Sequence, residues 1–378
     1  MSSPNVLRHN HSLEDKLGLS AAAGNLGIIA IIAISCFVTG RLALQLAATG
    51  PAMSAVWLPA GISLAAILLR GNRMWPGIFI GAFLANVMAG VHIPFSMGIA
   101  ACNTLEALLA GYFVNKFAHG ISAFNNPKDC LRFIFFAGMF TTALCATLGA
   151  CILCMDGFGS GTEFGPLWGV WWFGDMLGIL LLTPFLVLLL GHKHHSLSLI
   201  EFFEVTALLA GLSFACVLNF GPPLVSWIPR SGLYYLCVPF VVWSAIRFCP
   251  LEASGTALVL GGFTMWGSLH GYGLFAHAIG APLIGAGYVA VIAATSSVIA
   301  ATIAQQKKDL EDVLGAYYGL SEKYERESRC WEIRLNLISP DKQKRVLRVS
   351  LSTCYGWSLT NRLKVGGKLN GGWLHFLI

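Results

Sequence analysis

The chain reads as an all-α polytopic transmembrane helical bundle of about ten spans, or eight if the shortest apolar runs are re-entrant. Three observations predict this. Hydrophobic residues make up 56% of the 378 and charged residues 11%, with a mean hydropathy of +0.69; a soluble domain carries about a quarter charged residues. Apolar runs recur at about 25–46, 54–70, 74–91, 95–117, 131–155, 165–190, 202–220, 232–248, 251–270 and 278–304. Basic residues gather in alternate loops between those runs, the positive-inside pattern. The net charge of +6 and pI near 8.8 therefore report topology, and no nucleic-acid partner is expected.

Residues 1–24 are polar and charged and read as a cytoplasmic tail, followed by a run long enough to stay in the bilayer rather than be cleaved as a signal peptide. The membrane body is expected over 25–304. Its most telling stretch is Met53 to Gly90, two apolar runs joined by the hinge Arg70-Gly71-Asn72-Arg73, which reads as a helical hairpin in lipid. The second run opens Trp75-Pro76-Gly77, an interfacial aromatic followed by a proline suited to a first helical turn. Gly77 and Gly81 stand four apart, as do Gly174 and Gly178, the spacing that lets helix backbones touch in a membrane.

The loops expected inside hold Arg70 and Arg73, then Lys116, Lys128 and Arg132, then His192-Lys193-His194-His195, then Arg247, then Lys307 and Lys308. Those expected outside hold no basic group, or Asp156 and Glu163, or Arg230 alone, or His270 and His277. Both termini are thus expected on the cytoplasmic side of the membrane.

From Gln305 the composition turns charged. Leu310, Val313, Tyr317, Leu320, Tyr324 and Trp331 step by threes and fours, with Glu327 breaking the last interval, so 305–335 reads as a cytoplasmic helix. That stripe could pair with a second copy of the chain or a cytoplasmic signalling partner, or lie on membrane lipid. The stretch 336–378 has no sustained periodicity and reads as a basic, disordered or degenerate tail.

Ionisable residues inside spans are costly and so are functional candidates by default. Glu106 lies mid-span with Asn103 on the same helical face, and Asp175 lies between Gly174 and Gly178, with Trp168, Trp171 and Trp172 on the adjacent face. Arg41 marks the first span and Asn86 the end of the hairpin. Glu106, Asp175 and Arg41 are expected to meet in one internal polar site. No nucleophile–base set, phosphate loop or metal-binding spacing is visible, so no catalytic residue, metal or cofactor is expected. Cys151 and Cys154 form a CxxC with no strand–helix unit around it, and the HKHH cluster needs no ligand to explain a basic loop.

AVWLPAGISLAAILLRGNRMWPGIFIGAFLAN at 55–86, NTLEALLAG at 103–111 and WWFGDMLGILLLTP at 171–184 resemble the MASE1 integral membrane sensor family over about residues 25–305. The resemblance implies the input end of a bacterial signalling protein. It implies that Trp57, Pro59, Trp75, Pro76, Gly77, Asn86, Glu106, Asp175 and Pro184 belong to the shared sensor body. Relatives lead into histidine kinase, diguanylate cyclase, phosphodiesterase or PAS outputs. Beyond the membrane body no GGDEF, EAL or phosphoacceptor histidine motif is present, so an output that is missing or supplied in trans is expected. A small-solute transporter is the competing reading, since broken spans and midplane charges suit one.

Overall fold

The computed structural model describes residues 4–45, 56–155, 164–191, 198–222, 233–272 and 281–336. The HKHH cluster, His277, most of the glycine-rich 157–165 stretch and the tail beyond Asn336 lie outside them. Among the described residues there are eleven α-helices and no strand: α1 Pro4–Gln45, α2 Leu58–Arg70, α3 Trp75–Val87, α4 Ile93–Phe117, α5 Pro127–Phe133, α6 Thr142–Met155, α7 Phe164–Gly191, α8 Leu199–Phe220, α9 Cys237–Arg247, α10 Pro250–Leu269 and α11 Ala281–Asn336. A π-helical turn, Ile134–Thr141, joins α5 to α6. α1 starts at Pro4, so the stretch expected as a tail is helical; its apolar part begins near Gly24.

Every apolar run of the sequence carries a helix, yet among the described residues six segments are long and apolar enough to cross a membrane: Gly24–Gln45, Ile93–Phe117, Pro127–Met155, Phe164–Gly191, Leu199–Phe220 and Leu283–Arg326. α2 and α3 have 13 residues each. Each rises about 20 Å, short of a hydrocarbon core of about 30 Å. Proline sets their beginnings, with Pro59 and Pro76 in the first turns, where a missing N–H costs nothing.

Glycine decides how these helices pair. α3 lies on α1, where a Cβ at Gly77 would come 2.5 Å from the Ile29 carbonyl oxygen and one at Gly81 2.6 Å from that of Ala33. α2 turns the other way, onto α7. A Cβ at Gly61 would fall on the Gly178 carbonyl oxygen, and one at Gly178 on that of Trp57. The Trp57 N–H donates to Gly174 O at 2.9 Å, and Thr183 Oγ1 donates to Gly61 O at 3.1 Å. The two arms of the hairpin therefore separate, each buried against a different neighbour. Leu64, Leu177, Ile179, Leu180 and Phe133 fill the core around the α2–α7 contact.

A second core, of Leu212, Cys216, Phe220, Val241 and Leu260, sits between α8, α9 and α10. Several ends of helices meet on one side: Arg70, Ile121 and Gly191 line a single recess, and Asn126 Nδ2 donates to Gln305 Oε1 at 3.4 Å. Outward, α1 presents Leu26, Ile31, Ile34 and Leu42 with more than half of each exposed. That apolar belt suits lipid rather than water.

The chain divides into two units, Met1–Lys307 and Lys308–Ile378. In the second, the helical residues 308–326 are all exposed, including Leu310, Val313, Tyr317, Leu320 and Tyr324.

Candidate functional site

α4, α6 and α7 build an acidic centre inside the bundle. α4 brings Asn103 and Glu106, three residues apart and therefore on one face. Asp175 comes from α7, whose backbone is pinned at Gly174 by the Trp57 N–H. α6 adds Cys145. One ligand atom from each of Glu106, Cys145 and Asp175 lies within 4.8 Å of the others. The Cys145 thiol donates to Asn103 Oδ1 at 3.8 Å.

Burial here is close to complete: Glu106 is 4% exposed, Asp175 1% and Asn103 8%. Even so, Asp175 Oδ1 and Oδ2, Glu106 Oε1 and Asn103 Nδ2 have no hydrogen-bond partner. An unmet buried polar atom costs about 1–3 kcal/mol, so four of them in one place are a large cost for a fold to keep. Glu106 also separates two hollows. One, a void of about 10 Å³ that barely admits a water, has Cys36, Trp57, Pro59, Ser63 and Ala82 in its wall; the other, of about 240 Å³, has Cys102, Leu105, Leu144, Cys145 and Leu148.

The remaining candidates fall elsewhere. Arg41, half-buried on α1, forms an ion pair with neither carboxyl among the described residues. The expected three-way meeting is thus a meeting of Glu106 and Asp175 without Arg41, because α1 packs mainly on α3 and α2 rather than on α4 and α7. Asn86 is buried but turns its amide onto Ala82 O at 2.9 Å within its own helix. Trp75 is 49% exposed at the start of α3. Pro184 is buried within α7 one residue after Thr183.

The three indoles before Asp175 tie α7 to the π turn and α6. Trp168 Nε1 donates to Thr147 Oγ1 at 2.9 Å and Trp172 Nε1 to Met139 O at 3.1 Å. Trp171 lays its ring over Gly149, where a Cβ would come 2.5 Å from it. A π turn shifts the backbone hydrogen-bond register, and such turns gather at functional sites; here the Met139 carbonyl accepts the indole as well as the Thr142 N–H and hydroxyl. Cys145 is the member of the centre that sequence reasoning missed. A cysteine in an apolar run looks like any small hydrophobe, and only the fold brings it beside residues 39 earlier and 30 later.

Comparison with known proteins agrees with this architecture. The MASE1 family model matches residues 26–307. A stretch of 232 residues is 25% identical to the probable diguanylate cyclase DgcE of Escherichia coli (strain K12), covering 57% of this chain and 19% of that protein. The matched region is about a fifth of that relative's length. No solved structure matches.

Proposed function

The chain belongs to the MASE1 family of membrane sensor domains, and from that premise we propose that it reads a stimulus at the acidic centre and passes it to a cytoplasmic signalling output. The single observation that carries this reading is the pair Glu106 and Asp175, buried together and delivered by different helices, with Glu106 Oε1 and both Asp175 oxygens left without a hydrogen-bond donor. Such a pair changes its preferred helix spacing with whatever neutralises it, because bare carboxylates repel and cannot both stay charged in a dry interior. A ligand shifts a conformational balance by the difference in its affinity for the two states.

The readout is α11, whose apolar stripe Leu310, Val313, Tyr317, Leu320 and Tyr324 stands uncovered in the single chain. The stripe suits a homodimer or a cytoplasmic partner that carries the output. DgcE, a probable diguanylate cyclase, suggests one class of output such a body can serve. The proposed topology has about ten spans, the shorter ones incomplete, and both termini in the cytoplasm of a bacterial inner membrane. Support comes from Arg70, Ile121 and Gly191 sharing one recess and from Asn126 bonding Gln305, which puts several basic loops at one end.

Photo-crosslinking residues placed at Leu310 and Leu320 of the full chain in membranes test this. Neutralising both carboxyls, with Glu106→Gln and Asp175→Asn, is expected to change the crosslink yield or partner while the protein remains folded. An unchanged pattern in folded protein would overturn the reading. Solute uptake by reconstituted vesicles would instead favour a transporter.

A further inference from the structure

We infer that Glu106, Asp175 and Cys145 form a binding site for a thiophilic divalent transition-metal cation, of which Zn²⁺ is the type. This rests on the sensor reading above and gives its ligand a chemical class.

Three features carry it. The first is the donor set. Two carboxylates and a sulfur converge with one ligand atom of each within 4.8 Å of the others. Oxygen donors alone would suit Mg²⁺ or Ca²⁺, whereas a cysteine among them turns the preference to zinc-like ions. The second is the unmet atoms. Both Asp175 oxygens and Glu106 Oε1 are without hydrogen-bond partners in side chains 1% and 4% exposed. Buried charge is stable when paired or bound to a metal, and among the described residues no Lys or Arg pairs with either group. The third is room. A hollow of about 240 Å³, walled by Glu106, Cys145 and the outward-facing Leu105, Leu144 and Leu148, lies directly beside the donors.

Asn103 completes the set. Its Oδ1 accepts from the Cys145 thiol at 3.8 Å. When the thiol loses its proton to a metal, that oxygen is released to serve as a fourth ligand, unless a water from the hollow takes the place. The freed proton leaves to solvent, and the cation replaces it with no change of oxidation state.

The spacing also supplies the signal. Donors of a tetrahedral zinc site lie about 3.3–3.8 Å apart, given metal–ligand bonds of about 2.0–2.3 Å. The present limit is 4.8 Å. Binding therefore draws the donors of α4, α6 and α7 together by up to about 1.5 Å at the centre, a displacement of the size that packed helices amplify.

Full-length protein in nanodiscs, stripped with chelator and titrated with Co²⁺, tests this. One Co²⁺ per chain is expected, with a thiolate charge-transfer band and tetrahedral d–d absorption. Cys145→Ala should abolish the charge-transfer band, and Glu106→Gln and Asp175→Asn should each weaken binding at least about tenfold, the scale of lost metal-site partners. The double variant Cys151→Ser/Cys154→Ser should leave the spectrum intact. Gel filtration of every variant separates lost ligands from lost folding. Absence of stoichiometric Co²⁺ in the folded wild type, or a spectrum that survives Cys145→Ala, would overturn the metal. If the α11 crosslinks nonetheless respond to the carboxyl variants, the sensor reading stands and its ligand is of another class.

Discussion

Two buried polar centres, one between α4, α6 and α7 and one between α8 and α9, use similar residues and treat them differently. In the second, Asn219 Nδ2 donates to Ala215 O at 2.7 Å and approaches Cys237 Sγ at 3.8 Å, and the Cys216 and Cys237 sulfurs lie 3.9 Å apart. Each of those groups is satisfied by its immediate surroundings. In the first, Asn103 has the same burial class and the same sulfur neighbour type, yet its amide nitrogen meets nothing and two carboxyls stand unpartnered beside it. Asn86 behaves like Asn219, bonding one turn back on its own helix. A buried amide in lipid thus settles itself locally when its task is structural. Where the fold withholds that local solution, the site is kept open for something else.

The strongest way to break this contrast is to destroy the frame that holds the first centre. Gly178→Leu drives a side chain into the Trp57 carbonyl at the start of α2. It is expected to cost about 3 kcal/mol or more, the upper end of overpacking, seen as loss of monodisperse protein in detergent. Next comes the difference in sign between the centres. In chelator-treated protein, Asp175→Leu removes two unmet oxygens and is expected to raise stability by about 1–3 kcal/mol. Asn219→Leu removes two satisfied contacts and should lower it by about 1 kcal/mol. Thermal unfolding of the two variants side by side measures this, and a fall in both would erase the distinction.

Smaller effects sharpen the edges. Asp129, 7% exposed, accepts from Arg132 Nη1 and contacts His119 Nδ1, both at 2.8 Å, and so clasps the α4–α5 loop beside Asn126, which in turn bonds Gln305. Asp129→Asn is expected to lose about 1 kcal/mol and to loosen that loop in hydrogen exchange. Trp172→Phe keeps the ring but drops the bond to Met139 O. A loss of about 0.5–1 kcal/mol is expected, with exchange rising first in the π turn.

Much of this molecule is written locally. Composition announces the bilayer, proline and glycine punctuate the helices, and Glu106 and Asp175 stand out because a carboxyl in an apolar run has no structural excuse. Gly77, Gly81, Gly174 and Gly178 advertise close approach, since only a missing side chain admits another backbone. Their partners are another matter. That Gly81 meets α1 while Gly178 meets Trp57, the residue just before α2, depends on which helix faces which, and spacing along one helix carries no such address. The same limit hid Cys145 and misplaced Arg41: their roles depend on distances between helices far apart in sequence. Composition alone does not set the crossing count for a related reason, because an apolar run of given composition can be a full span or a 13-residue helix such as α2, and neighbours decide which. Sequence by itself determined the solvent of this protein and its costly residues; tertiary structure alone decided which of those residues share a cavity, because burial is local but convergence is not.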